Sequence, residues 1–263
     1  MYKRQEQGDL LFALTAGHGE FPRIILAPGS VDEAFYLSQE AFNLADRFQA
    51  PVFILTDQYL IDSYRNIADL DPSGIKVEKA FIETGPEYRR YEITGDGISP
   101  RGVPGFGKGL VCVDSDEHDA EGRIVEDRET RVSMVDKRLK KLERIREAAM
   151  EPVLTGGDGY RTLVVGWGST LPVIKEALSG TDMDDVSFLH FKQVYPVHPR
   201  TKEYLEKAEK IIVVENNATS QFGSVLKLET GIQPHSDILK YDGHPFSVEE
   251  LAQRLESITG AKD

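Results

Sequence analysis

His18 and Glu20 stand two residues apart between glycines in AGHGE, residues 16–20. An imidazole beside a carboxylate on a mobile loop can trade protons with a substrate or hydrogen-bond it, although a histidine in a polar loop is more often simply exposed. A second segment with chemical potential is GISPRGVPGFGKG, residues 97–109, where five glycines accompany Arg101 and Lys108. Loose backbone next to two cations can grip a carboxylate or a phosphate. Glycine-rich surface turns are commoner than anion sites, however, and the P-loop pattern is not met. The third segment is VVGWGST, residues 164–170, a strand-to-helix turn where Gly166 and Gly168 allow close backbone approach and a helix start offers free N–H groups. The plainer reading is that the glycines make the turn and Ser169 or Thr170 caps the helix, since no third glycine sits at dinucleotide spacing.

Several chemistries are excluded at once. The histidines at 18, 118, 190, 198, 235 and 244 include no i,i+4 pair or other metal-ligand spacing, so no zinc site is expected. No GxSxG occurs. Cys112, in the apolar run GLVCVDS, reads as a buried, inert thiol. As the only cysteine it cannot form an internal disulfide, a four-cysteine zinc site or a self-contained iron–sulfur cluster, and it fits a reducing cytoplasm. Lys plus Arg number 31 against 44 Asp plus Glu, a net charge of -13, which makes nucleic acid a poor partner. No run of eighteen apolar residues and no apolar stretch in MYKRQEQGDL suggests a membrane span or secretion signal. With 40% hydrophobic residues, 263 residues can build one or two cored domains.

The elements that must position these residues follow from the hydrophobic pattern. Arg23–Ala27 and Pro51–Thr56 read as buried strands, and between them Ser30 and Glu33 form a capping box ahead of a helix with one face of Ala34, Leu37, Ala41, Leu44, Ala45 and Phe48. That is a βαβ unit of a parallel sheet. Residues 63–125 are punctuated by Gly, Pro, Asp and Ser, with IKVEKAFIE and RRYEIT as alternating strand candidates and an acidic, solvated DSDEHDAEGRIVEDRE. Val132, Val135, Leu139, Leu142 and Ile145 then trace a helix stripe, with Lys137, Lys140, Lys141, Arg144 and Arg146 on other faces. After a TGGDG linker come strands at Thr162–Val165, Ser187–Phe191, Ile211–Val214 and Ile238–Tyr241, and helices at Lys202–Ala208, Ser220–Thr230 and Val248–Ile258. Alternation over about 105 residues predicts an open, doubly wound sheet.

Read as a string, EQGDLLFALTAGHGEFPRIILAPGSVDEAFYLSQEAFNLADRFQAPVFILTDQYLIDS resembles the α subunit of 2-oxoacid:ferredoxin (acceptor) oxidoreductases, the 2-oxoglutarate synthase type. The likeness continues in order through RYEITGDGISPRGVPGFGKG, DSDEHDAEGRIVED, VDKRLKKLE, VVGWGST, VYPVHP, VVENNATSQFG and YDGHPFS, covering about residues 6–263. It implies an α/β protein: the C-terminal part of a thiamine-enzyme pyrimidine-type domain over 1–66, a connecting arm with strands and a long helix over 67–154, and a transketolase-C-like open sheet over 155–263. It further implies a thiamine diphosphate enzyme that converts a 2-oxoacid and coenzyme A to acyl-coenzyme A and CO2, with electrons passing to ferredoxin. The thiamine diphosphate and Mg would lie at the interface with a β subunit and be held mainly by it; iron–sulfur clusters would sit in partner subunits, and a γ-type subunit or fused domain would complete the assembly.

The family's YPITP-type substrate loop, its activating glutamate and its RGGPSTG stretch have no counterpart in this sequence, and Met1–Gln5 match nothing in the family. The expectation is therefore a C-terminal fragment that is inactive in isolation. By resemblance, Glu6, Gln7 and Asp9 follow the substrate-binding strand end. With His18, Glu20, Arg101 and Lys108 they are the candidates for lining the substrate or coenzyme A side of the site. Two other readings remain: a non-catalytic assembly subunit, and a transketolase or pyruvate dehydrogenase-type enzyme.

Overall fold

A computed structural model describes residues 6–180 and 185–260; Met1–Gln5 fall outside them. The chain runs α1 (Leu10–Thr15), β1 (Ile24–Leu26), α2 (Val31–Phe48), β2 (Val52–Ile54), α3 (Gln58–Asp62), β3 (Ile82–Thr84), β4 (Gly102–Gly107) and α4 (Arg128–Glu147). It continues with β5 (Val153–Thr155), β6 (Thr162–Trp167), α5 (Thr170–Ser179), β7 (Val186–Phe191), β8 (Gln193–Tyr195) and α6 (Thr201–Lys207). The last elements are β9 (Lys210–Glu215), α7 (Gln221–Thr230), β10 (Ser236–Leu239) and α8 (Val248–Thr259). Among the described residues no helix is long and apolar enough to cross a membrane.

The βαβ unit is present, with Ile24 opposite Val52 and Leu26 opposite Ile54 in parallel. Leu37, Ala41, Leu44 and Phe48 of α2 bury against Ile24 and Leu26. At the N-terminus of α2 the Ser30 hydroxyl accepts from Glu33 N at 3.2 Å, as the capping box requires. The Glu33 carboxylate reaches one residue further back than that motif specifies, to Gly29 N at 2.8 Å. It also meets His190 Nε2 at 3.4 Å and Lys192 Nζ at 3.2 Å.

The second sheet has the order β10-β9-β6-β7-β5. Three of its four pairings are parallel, and only β5 runs antiparallel, against β7. Helices cover both faces: α5 and α8 contribute Ile174, Leu251 and Leu255 to one core, and α6 and α7 contribute Leu205, Phe222 and Leu226 to the other. Outside the arm, two strands were not legible in the sequence. β5 is only three residues long and abuts the glycine-rich turn, and β8 crosses to the first sheet, pairing Ile25 with Tyr195. The first sheet is therefore completed by a strand from the far end of the chain.

The arm departs most from expectation. IKVEKAFIE yields strand only at Ile82–Thr84, because the preceding residues bond to side chains of α2 instead of a strand. Asn43 Nδ2 donates to Lys76 O at 2.8 Å, Asn43 Oδ1 accepts from Glu78 N, and Asp46 accepts from Ala80 N. RRYEIT forms no strand; its Tyr91 N donates to Ala120 O in a loop-to-loop bond. Conversely the glycine loop contains β4, parallel to β3. Gly107, at φ +103°, lies so close to the Thr84 backbone that a Cβ would overlap it, so the glycine serves strand approach. Cys112 lies outside any strand, half-buried, with its thiol 3.2 Å from Gly122 O.

The stripe on α4 is also corrected. Met134, Lys137 and Ile145 are its buried residues, while Val132 and Leu139 are exposed. Ile145, 1% exposed, joins the core of the first sheet. Ile145→Ala should cost about 2–4 kcal/mol in urea unfolding, the range for emptying a packed aliphatic site; a loss below about 1 kcal/mol would show that α4 does not belong to that core.

Burial pushes the Glu33 carboxyl up, but His190, the Gly29 N–H and Lys192 outweigh it and hold it down to about 2. A lowered folded pKa stabilises above the unfolded value near 4.5, and the gain disappears as pH falls towards 2. Glu33→Gln should thus cost up to about 3 kcal/mol at pH 6–7, with the difference from the parent closing between pH 4.5 and 2. A pH-independent difference in denaturation midpoints would contradict this.

Candidate functional site

The carboxyl ends of β1, β2 and β6 open onto one small cleft of about 30 Å³. In open α/β sheets ligands bind beyond those strand ends. Leu55, Thr56 and Asp57 follow β2, Pro28 follows β1, and Trp167, Gly168 and Ser169 close β6; Glu6, Gln7, Gly8 and Asp9 complete the wall. Close packing of the two loops makes the junction possible. A Cβ on Gly29 would lie 2.7 Å from Leu171 Cβ and 2.9 Å from Gly168 O, and Gly168 itself has φ +57°.

Gln7 is the clamp between the halves. Its Nε2 donates to Trp167 O at 2.8 Å, its Oε1 accepts from Asn216 N at 3.0 Å, and its backbone N–H donates to Asn216 O at 2.6 Å. Its carbonyl accepts from Asn217 Nδ2 at 3.2 Å. Behind this clamp lies Glu215, which has no accessible surface. The carboxylate accepts from Asn217 Nδ2 at 2.6 Å, Trp167 Nε1 at 3.2 Å, and the Phe222 and Gly223 N–H groups at 3.0 Å. Burial raises its pKa, with these donors opposing.

Asp57 provides the second buried carboxyl. It caps α3 by accepting from Leu60 N at 2.9 Å, and the Ser169 hydroxyl donates to its other oxygen. Burial raises its pKa, against the Ser169 and backbone hydrogen bonds. The Ser169 side chain makes no cap bond to α5, contrary to the simple capping reading; the Thr170 hydroxyl instead donates to Trp167 O at 2.8 Å.

The structure unites Glu6, Gln7 and Asp9 at this cleft and disperses the other candidates. His18 and Glu20 line a separate open groove with Asp114, Asp116 and Arg131. Arg101 is drawn into an ion pair with Asp46 at 2.5 Å, and Lys108 is exposed beyond β4. Asp57, Glu215 and Asn217 were missed as site residues. The available signal was a carboxylate ending the apolar strand IIVVE and followed by two asparagines before a helix. Among the described residues no group of three His, Cys, Asp or Glu side chains is placed to hold a metal ion.

Two α/β sheets meeting at their carboxyl ends, clamped across a cleft, define a two-unit α/β protein with a junctional site. The chain belongs to the pyruvate flavodoxin/ferredoxin oxidoreductase, thiamine diphosphate-binding family, whose profile matches residues 3–137 and so takes in Lys3–Gln5, which the likeness read from the sequence had left out. It is 38% identical over 267 residues to the 2-oxoacid:ferredoxin oxidoreductase subunit alpha of Saccharolobus solfataricus, covering 97% of this chain and 42% of that one. It is 28% identical to the 2-oxoglutarate synthase subunit KorA of Methanothermobacter thermautotrophicus, covering 95% and 67%. A solved structure of 2-oxoglutarate:ferredoxin oxidoreductase from Magnetococcus marinus, with 2-oxoglutarate, coenzyme A and succinyl-CoA bound, superposes at TM-score 0.88 and 28% identity over 96% of this chain and 45% of that one. The chain thus spans about two-fifths of the length of the curated 2-oxoacid:ferredoxin relatives it matches.

Removing the clamp should be measurable, because Trp167 is the only tryptophan and reports directly from the cleft. Gln7→Ala leaves the buried Asn216 N–H without its side-chain acceptor and should lower stability by about 2–3 kcal/mol in unfolding followed by Trp167 emission. A change under 0.5 kcal/mol would mean that the segment carrying Gln7 is not held by these bonds.

Proposed function

We propose that this chain contributes the α-subunit part of a thiamine diphosphate-dependent 2-oxoacid:ferredoxin oxidoreductase that forms acyl-coenzyme A and CO2 and delivers electrons to ferredoxin. The observation that carries the reading is the cleft where β1, β2 and β6 end, built in a fold that follows a 2-oxoglutarate:ferredoxin oxidoreductase along nearly its whole length. The 2-oxoglutarate type is favoured by that likeness and by the KorA relatives.

The complete cofactor does not fit this chain's cleft. Its wall carries Glu6, Asp9 and Asp57 and no cation, and about 30 Å³ admits roughly two waters, so a diphosphate would be both repelled and excluded. In the proposed assembly the diphosphate and Mg are held by a β subunit, which also carries iron–sulfur clusters, with a γ-type subunit or domain completing the enzyme. This chain's share is positional: Gln7 fixes the loop, Asp9 and Glu6 face the entering 2-oxoacid side, and Asp57, bonded by Ser169, presents a buried carboxyl to the cleft. His18, Glu20, Arg101 and Lys108 would touch substrate or coenzyme A only through surfaces that partners complete.

The test is ferredoxin reduction by the assembled complex carrying the rest of the α-subunit sequence. Turnover should require 2-oxoglutarate, coenzyme A and thiamine diphosphate together, and Asp57→Asn should lower kcat/KM for the 2-oxoacid at least tenfold, about 1.4 kcal/mol, without loss of assembly. An assembled complex with no 2-oxoacid-dependent reduction would overturn the assignment, and unchanged kinetics in the variant would remove Asp57 from it.

A further inference from the structure

A face of α4 outside the apolar stripe read from the sequence lines a cavity of about 180 Å³ against the arm and the C-terminal end of α2. Arg90, Lys137, Arg138 and Lys141 converge on it, with Tyr91 and His118 beside them. No carboxylate is among its lining residues, in a chain whose net charge is -13. Four cations around one pocket, only one of them paired there with an acid, is a local arrangement in so acidic a protein that costs stability unless an anion relieves it.

The hydrogen bonding points the same way. Lys137, 8% exposed, donates to Tyr91 O at 2.9 Å, and Lys141 Nζ donates to Gln49 O at 3.1 Å. These are main-chain carbonyls, and among the described residues neither lysine forms an ion pair, leaving donors of both ammonium groups uncommitted. The acid that meets this cluster through Arg138 is already engaged: Glu117 accepts from Arg138 at 2.8 and 3.0 Å and from Arg131 at 2.6 Å. Burial, followed by repulsion from the neighbouring cations, lowers both lysines to about 8. An anion would offset both effects.

We propose that this cavity is a binding site for a phosphate-class oxyanion, held by Lys137, Lys141 and Arg90, with the Glu117-paired Arg138 at its edge. The volume suits a phosphate or diphosphate group, and the mixed ammonium and guanidinium donors suit its several oxygens. The site is distinct from the cleft described above. Gln49 follows the last residue of α2 and Pro28 lies just ahead of its N-cap, so about 27 Å of helix separates them. The inference stands independently of the proposed function.

The probes are inorganic phosphate, pyrophosphate and coenzyme A, each added to the purified chain at matched ionic strength with chloride as the reference. Pyrophosphate should raise Tm above the chloride reference, and it should protect Lys137 and Lys141 at least fivefold from acetylation, read by peptide mass spectrometry, while exposed Lys202 is unaffected. The double variant Lys137→Gln/Lys141→Gln should lose the Tm shift, and the milder Arg90→Gln should weaken it if the double variant does not fold. Binding of inorganic phosphate and pyrophosphate identifies a free-anion site; binding of coenzyme A alone identifies the phosphate of a larger ligand, and both support the proposal. Equal effects of chloride, or no selective protection of the two lysines by any probe, would overturn it and leave the cavity to an acidic segment of a partner.

Discussion

A single buried carboxylate organises the junction. Glu215 ends β9 with no accessible surface, and ionised it would be costly there without several charge-assisted donors. It obtains them from three places: the indole of β6, the first N–H groups of α7, and the amide of Asn217. Those groups are thereby fixed, and one of them, Asn217, passes the constraint on to the Gln7 carbonyl. The buried carboxyl thus orders the N-terminal segment that walls the cleft, although it does not line the cleft itself.

The other contacts between the sheets follow from the same geometry. With Trp167 and Gly168 held, the loop after β1 can approach only because Gly29 has no Cβ, and Glu33 can then reach across to His190 and Lys192. β8 carries the chain back onto β1, so the first sheet cannot close without the second. The carboxyl ends that meet at the cleft belong to sheets that are separate in sequence and mutually dependent in space.

How much of this was legible depended on whether a feature is local. The βαβ unit, its Ser30 cap and the four parallel strands of the second sheet were readable because apolar runs and capping residues act within a few positions. The arm was misread for the opposite reason. IKVEK alternates like a strand but spends its backbone groups on Asn43 and Asp46, some 30 residues away, and the glycine loop is a strand because Thr84 and Tyr88 need close approach. Lys137 and Lys141 were placed off the apolar stripe because charge is normally exposed, whereas Met134 and Lys137 are buried and Val132 and Leu139 are exposed. In the site, Gln7 and Asp9 came from family likeness, whereas Asp57 and Glu215 gain their character from burial that no spacing encodes.

Hydrogen exchange read by mass spectrometry, on the parent chain and on Glu215→Gln and Glu215→Ala, tests the organising role of Glu215 most directly. Both variants should lose protection in residues 216–224 and also in residues 6–13, which lie more than 200 positions away, while β7 keeps its protection. Opening of residues 216–224 with residues 6–13 exchanging as in the parent would contradict the account, because the cleft wall would then be held by something other than the buried carboxylate.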